Sequence, residues 1–193
     1  TKPSHDLGRG DYFHSRFDAL RDGLAEKGIR RVLVACPSCY RVWSDCGGPV
    51  RVETVYEQLS GDVRIMPPRP VTVTVHDPCP TRNETDIHRA VRSLVTAMGL
   101  TIREMKHNGR TTYCCGEGGA ACHIAPHLAG NWTTTRVEEA DGLPIITYCA
   151  GCTHFLGRLA TVAHLADLLC EPEETLAGRI RPTRTPMTWV HRL

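Results

Sequence analysis

Residues 143–152 read LPIITYCAGC. A short apolar, β-branched run ends in a cysteine, and a second cysteine follows three positions on. A run of this length with Ile and Thr in it reads as a buried strand. The same grammar occurs twice more. IRRVLVACPSC (29–39) is a strand that ends in Cys36 and Cys39, and VTVTVHDPC (71–79) is a strand that ends in Cys79. Between the runs lie segments with helical spacing. YFHSRFDALRDGLAEK (12–27) and DIHRAVRSLVTAMG (86–99) each put apolar residues on one face, with Gly28 and Gly99 as stops. Strands alternating with helices predict an α/β fold with mostly parallel sheets flanked by helices. In such sheets ligands gather at the carboxyl ends of the strands, where these cysteines fall.

The remaining elements are weaker. VETVYEQL (52–59) and FLGRLATVAHLADLL (155–169) read as helices, and TTTRVEEA (133–140) as helical in its second half. LTIREM (100–105) reads as a weak strand and MPPRP (66–70) as a linker. The tail RIRPTRTPMTWVHRL is basic and broken by proline, so it is expected to be loose or bound to a partner.

Composition narrows the function classes. The chain has 193 residues and a formal net charge of +2, which gives no reason to expect a nucleic-acid partner. It is 41% hydrophobic and 23% charged, ordinary for a globular protein with a real core. No apolar run approaches the roughly 18–20 residues of a transmembrane segment. Ten cysteines are too few for a dense disulfide scaffold at this length, and no secretory signal is visible. A reducing, cytoplasmic setting is expected, with cysteines that serve as metal or redox ligands.

An internal repeat organises the chain. Residues 29–43 and 143–157 share a strand, a Cys-x-x-Cys and an aromatic-containing segment. Each leads on to a similar octet, VETVYEQL in one and VAHLADLL in the other. In the second copy Cys115 precedes Cys149 by 34 positions; the same offset from Cys36 falls at position 2. An upstream Cys–Cys pair is therefore expected before Thr1. The expected division is residues 1–66 as the C-terminal half of a first unit, 70–172 as a complete unit and 173–193 as a basic tail.

The complete unit holds five cysteines: Cys79, Cys114, Cys115, Cys149 and Cys152. Cys114 and Cys115 stand side by side in TYCCGEGGAAC (112–122). Neighbouring Cα atoms are about 3.8 Å apart, too close for an ordinary disulfide. The pair instead offers two sulfurs from one glycine-rich loop, which is expected to open a helix. Five thiolates exceed a tetrahedral zinc site by one and suit a cluster of several irons. Zinc held by four of them in a structural or interaction domain is the alternative. Metal-free thiol–disulfide exchange is a third reading.

The order Cys, CCG, Cys-x-x-Cys resembles the cysteine-rich CCG domain found in heterodisulfide reductase and its relatives. These relatives include the iron–sulfur subunits of anaerobic glycerol-3-phosphate and lactate-oxidising dehydrogenases. HDPCP, YCCGEGGA, YCAGC and CPSCY carry the resemblance, and KPSHDLG (2–8) is similar to the segment after a first CCG motif. The resemblance implies a [4Fe–4S] cluster, non-cubane in the heterodisulfide reductase branch, held by Cys79, Cys114, Cys115, Cys149 and Cys152. It implies disulfide reduction in one-electron steps, or electron relay within a larger oxidoreductase. It also implies tandem domains, with zinc in one of them in some members and a second site at Cys36 and Cys39 in an intact parent. The implied partners are other redox subunits, an upstream ferredoxin-type domain and a disulfide substrate. A partner subunit would be the route to the membrane periphery.

Other residues have smaller expected roles. His76 and His154 are each candidates to donate a hydrogen bond to a cluster sulfide, against the plainer reading of residues satisfied locally. His107, His123 and His164 are expected on surfaces or helix faces. Glu117 is a solvated loop residue or a proton carrier. Cys46, Cys122 and Cys170 are expected to be packing residues.

Overall fold

A computed structural model of the chain describes residues 2–62, 65–67, 69–118 and 121–180. Of the basic tail expected at 173–193, residues 181–193 lie outside them. The first elements are helices α1 (Lys2–Asp6) and α2 (Gly10–Glu26), strand β1 (Arg31–Val34), helix α3 (Pro37–Cys46), strand β2 (Arg51–Thr54) and helix α4 (Val55–Ser60). Strand β3 (Thr72–His76), helix α5 (Thr85–Ala97) and strand β4 (Thr101–Ile102) come next. The chain continues through helices α6 (Ala121–Ile124) and α7 (Pro126–Glu139), strand β5 (Ile145–Thr147) and helix α8 (Ala150–Leu156). Strand β6 (Val162–His164) and helices α9 (Leu165–Cys170) and α10 (Pro172–Leu176) complete it.

Every strand pairing among the described residues is parallel, in a two-stranded sheet β1-β2 and a four-stranded sheet β4-β3-β5-β6. The fold is α/β, with helices flanking parallel sheets and cysteines placed after strand ends, as the sequence predicts. The chain runs from β3 to β4 on one side, then returns to place β5 on the other side of β3. The crevice beyond the ends of β3 and β5 is therefore a topological switch point.

Period-two alternation gives β3 two working faces. Val73 and Val75 join a core with Ile87, Val91, Leu94 and Val95 of α5, to which Tyr56 of α4 and Leu165 and Leu168 of α9 also belong. His76, at the end of β3, meets Arg136 of α7. A second core of Met105, Ala140, Ile145 and Leu156 includes Cys115, Cys149 and Cys152. The two halves of the chain share the first core: Tyr56 packs edge-on against Tyr148 at 5.7 Å.

Four elements differ from the sequence reading. Residues 52–59 are not one helix: β2 pairs with β1 up to Thr54, and α4 starts at Val55. Residues 155–169 are likewise broken into the end of α8, then β6 and α9. The two errors are equivalent, because VET and VAH occupy the same place in the repeat. Their strand character comes from pairing to β1 and β5, which local periodicity does not report. Helix α7 spans the whole of 126–139, started by Pro126 at its first position, so a Thr-rich stretch of modest propensity is helical throughout. The 100–105 strand shortens to the two residues of β4.

The repeat is longer than the sequence shows. The series α1-α2-β1-α3-β2-α4 recurs as α6-α7-β5-α8-β6-α9. Cys36 and Cys149 occupy the same position, the extended residue capping α3 and α8 respectively.

Candidate metal centre

Three loops bring five sulfurs to the switch point. Cys79 sits on a 3-10 turn after β3, Cys114 and Cys115 on the loop before α6, and Cys149 and Cys152 at the start of α8. The thiols adjoin one another in a continuous string: Cys79 next to Cys114, Cys114 to Cys115, Cys115 to Cys152, and Cys152 to Cys149. None of the ten cysteines is in a disulfide.

The sulfurs differ in charge preference. Cys114 accepts from the Cys115 and Cys79 thiols and from the backbone N–H groups of Gly116 and Gly118, which holds it far below an ordinary thiol. Cys79, Cys115 and Cys152 are pushed up by sharing their protons with neighbouring sulfurs and by burial. The Cys152 thiol and the N–H groups of Cys152 and Gly151 outweigh burial at Cys149 and bring it down to about 7.

Asp77 of HDPC ties the three loops together. Its carboxylate accepts from Arg92 at 2.8 and 3.0 Å, from the Gly109 N–H at 2.8 Å and from the Tyr148 hydroxyl at 3.2 Å. Its carbonyl accepts from Thr112, two residues before Cys114, at 2.8 Å. Tyr148 immediately precedes Cys149. One buried carboxylate thus positions Cys79, the Cys114–Cys115 pair and Cys149. Burial pushes the Asp77 carboxyl up, but Arg92, then His88 and the Gly109 N–H, overcome that and hold it below the usual range.

The glycine after the paired cysteines is required. Gly116 has φ +104°, and a Cβ there would collide with the Ala129 carbonyl and the Thr133 hydroxyl of α7. Thr133 closes that contact by donating to the Cys115 carbonyl at 2.7 Å. A Cβ on Gly118 would lie 3.2 Å from the Cys114 sulfur and 3.6 Å from that of Cys79, crowding the space between them.

A cavity of about 650 Å³ opens over the sulfurs. All five cysteines line it, together with Ser38, Arg41 and Asp45 of α3.

The candidate histidines separate. His76 is fully buried, and one of its ring nitrogens lies within 4.8 Å of the Cys115 and Cys152 sulfurs. Burial, then the Arg136 charge, pushes its pKa down to about 3. His154 does not join the site: it is exposed and bonds Arg158 at 3.0 Å. His107 is bound to Glu139 and stacks on Tyr113, and His164 caps α9 by accepting from the Ala166 N–H at 3.2 Å. Glu117 is exposed at the cavity edge, and its carboxylate covers Gly151 so closely that a side chain there would strike it. Cys36, Cys39 and Cys170 are exposed; Cys46 lines the cavity wall contributed by α3.

Sequence reasoning missed the scaffold: Asp77, Arg92, Tyr148, Thr133 and Arg136. The available signal was position, since Asp77 and Tyr148 stand beside cysteines at strand ends.

Parallel strands that deliver five thiols to one switch point make this a cysteine-rich domain, and comparison finds similar proteins. Residues 73–157 match the family model described as the CCG cysteine-rich domain. The chain is 29% identical over 132 residues to one of the subunits of the dihydromethanophenazine:CoB–CoM heterodisulfide reductase of Methanosarcina barkeri, covering 62% of this chain and 32% of that protein. Its Methanosarcina mazei namesake is 30% identical with the same coverage. A probable membrane-anchored ferredoxin of Chromohalobacter salexigens is 36% identical over 138 residues, 66% of this chain and 20% of that protein. The chain thus spans a fifth to a third of the length of these relatives. No helix among the described residues is long and apolar enough to cross a membrane.

Proposed function

We propose that the chain is an iron–sulfur redox domain of a larger oxidoreductase, with Cys79, Cys114, Cys115, Cys149 and Cys152 holding a [4Fe–4S] cluster. The observation that carries this is the unbroken string of five thiols beneath one cavity. Five soft donors fit a multi-iron centre better than tetrahedral zinc. When bound, such a cluster supplies one-electron transfer. The chain's own residues do the rest: Asp77 orients the three cysteine loops, Gly116 and Thr133 dock the paired cysteines on α7, and the Gly116 and Gly118 N–H groups stabilise negative sulfur.

The cavity favours reduction of a substrate at this site over simple relay. Its volume falls in the range of small-molecule pockets. A disulfide is the substrate class that fits, since each of its halves becomes a thiolate suited to soft metal. The heterodisulfide reductase relatives support this reading. Residues 1–66 would be the C-terminal half of a first CCG-type unit and 70–172 a complete one, with further redox subunits or a ferredoxin-type domain as partners.

Iron, sulfide and zinc content of protein purified without oxygen tests the reading, together with its visible spectrum. About four irons per chain, lost in Cys115→Ser, is the expected result. One zinc and no iron would replace it with a structural zinc domain.

A further inference from the structure

His76 is a buried histidine beside the sulfurs with one nitrogen accounted for and one not. The Arg136 Nε–H donates to its Nδ1 at 3.2 Å. Arginine has no acceptor, so this bond can form only if Nδ1 presents its lone pair. In a neutral ring the proton then sits on Nε2. Nε2 is buried and has no hydrogen-bond partner among the described residues. A buried donor left without an acceptor is costly, so such groups usually have a purpose.

Arg136 is not free to release the ring. It is fully buried on α7, donating also to the His107 carbonyl at 2.7 Å, to Glu139 and to the Met105 sulfur. The backbone of His76 is held as well: the Thr147 hydroxyl on the adjacent strand β5 donates to its carbonyl at 3.1 Å. The tautomer is thus set by Arg136, a group that is itself fixed.

We propose that His76 donates an N–H···S hydrogen bond from Nε2 to the sulfur centre at Cys115 and Cys152, with Arg136 fixing the tautomer, and that His76 is not a metal ligand. A ligating Nε2 would need its lone pair, which moves the proton to Nδ1, against the Arg136 N–H. His76 is therefore a positioning and tuning residue. A donor to a thiolate stabilises the reduced, more negative state and raises the reduction potential. This rests on the iron–sulfur reading of the five-thiol site.

The test compares wild type, His76→Phe and His76→Gln, all loaded without oxygen. The expected result is full iron content in all three. The midpoint potential should fall in His76→Phe by about tenfold in the reduced-to-oxidised ratio, about 59 mV for one electron, with partial recovery in His76→Gln, which keeps an N–H donor. Wild type labelled with ¹⁵N-histidine provides a second readout by pulsed electron paramagnetic resonance, independent of how well the variants fold. Weak nitrogen coupling supports the hydrogen bond. Strong coupling of a directly bound nitrogen, or loss of iron in folded His76→Phe, would make His76 a ligand and overturn the proposal. An unchanged potential with no nitrogen coupling would also overturn it while leaving the cluster assignment standing. A wild-type protein that takes up no iron would sink both.

Discussion

The series β1-α3-β2-α4 and β5-α8-β6-α9 are the same device with different results. Each is a strand, a cysteine that caps a helix, a second cysteine three residues on, a parallel strand and a capped helix. In the first, Cys36 and Cys39 are exposed; in the second, Cys149 and Cys152 are buried, with 9% and 4% of their surface accessible. The local code is shared, so the difference lies in the neighbours. Strand β5 has β3 beside it and the Cys114–Cys115 loop over its end, whereas β1 pairs only with β2 among the described strands. A Cys-x-x-Cys on a strand end becomes part of a centre only when two further loops bring sulfur to it.

The largest expected contrast lies in the iron itself. Cys115→Ser should abolish iron uptake, whereas Cys36→Ser or Cys39→Ser should leave the iron of the five-thiol site unchanged, as metal analysis of anaerobic protein would show. Equal losses in both units would break the comparison.

Next come the buried charges. Asp77→Ala leaves Arg92 with Glu104 alone and strips the Gly109 N–H and the Tyr148 hydroxyl of their acceptor, so it should cost about 3 kcal/mol in urea unfolding. The first unit also buries a carboxylate, Glu53 of β2, but it is paired with Arg31 and Arg51, whose side chains are 53% and 77% exposed. Glu53→Gln should cost about 1 kcal/mol or less.

The caps offer a finer contrast. Thr54 forms a capping box with Glu57 at the start of α4. Thr54→Ala should cost about 1 kcal/mol in the same assay. His164 holds the equivalent position on α9, and burial lowers its pKa below 6.5. The unfolded chain therefore binds a proton there more readily than the folded one. The stability from this group is present above pH 6.5 and declines as the pH falls below it. His164→Asn keeps a capping acceptor and should flatten the unfolding midpoint between about pH 7 and 5 relative to wild type. An unchanged slope would show that His164 binds its proton alike in the folded and unfolded chain.

What was legible in the sequence divides the same way between local and nonlocal causes. The strand-then-cysteine runs, the repeat and the parallel α/β class are written in short stretches, and the structure has all three. The strands β2 and β6 were not legible, because three or four residues become a strand only when another strand lies alongside. Nor was Arg136: within a Thr-rich segment it looks like a surface residue, and only the path of α7 past β3 buries it against His76. His154 is the opposite case: proximity to Cys152 in sequence makes it a candidate, but the helical turn carries its ring outward to Arg158, where it is satisfied locally.

The Asp77 latch also bears on the order of events during folding. Its partners at Arg92, Gly109, Thr112 and Tyr148 reach up to 71 positions along the chain. Such nonlocal pairings form late, after the loop-closure entropy of a parallel sheet has been overcome. The sulfurs therefore meet only once the sheet has closed. In a small zinc finger the metal drives the chain to fold; here the fold alone would assemble the sulfurs, and a cluster held by them would be captured last.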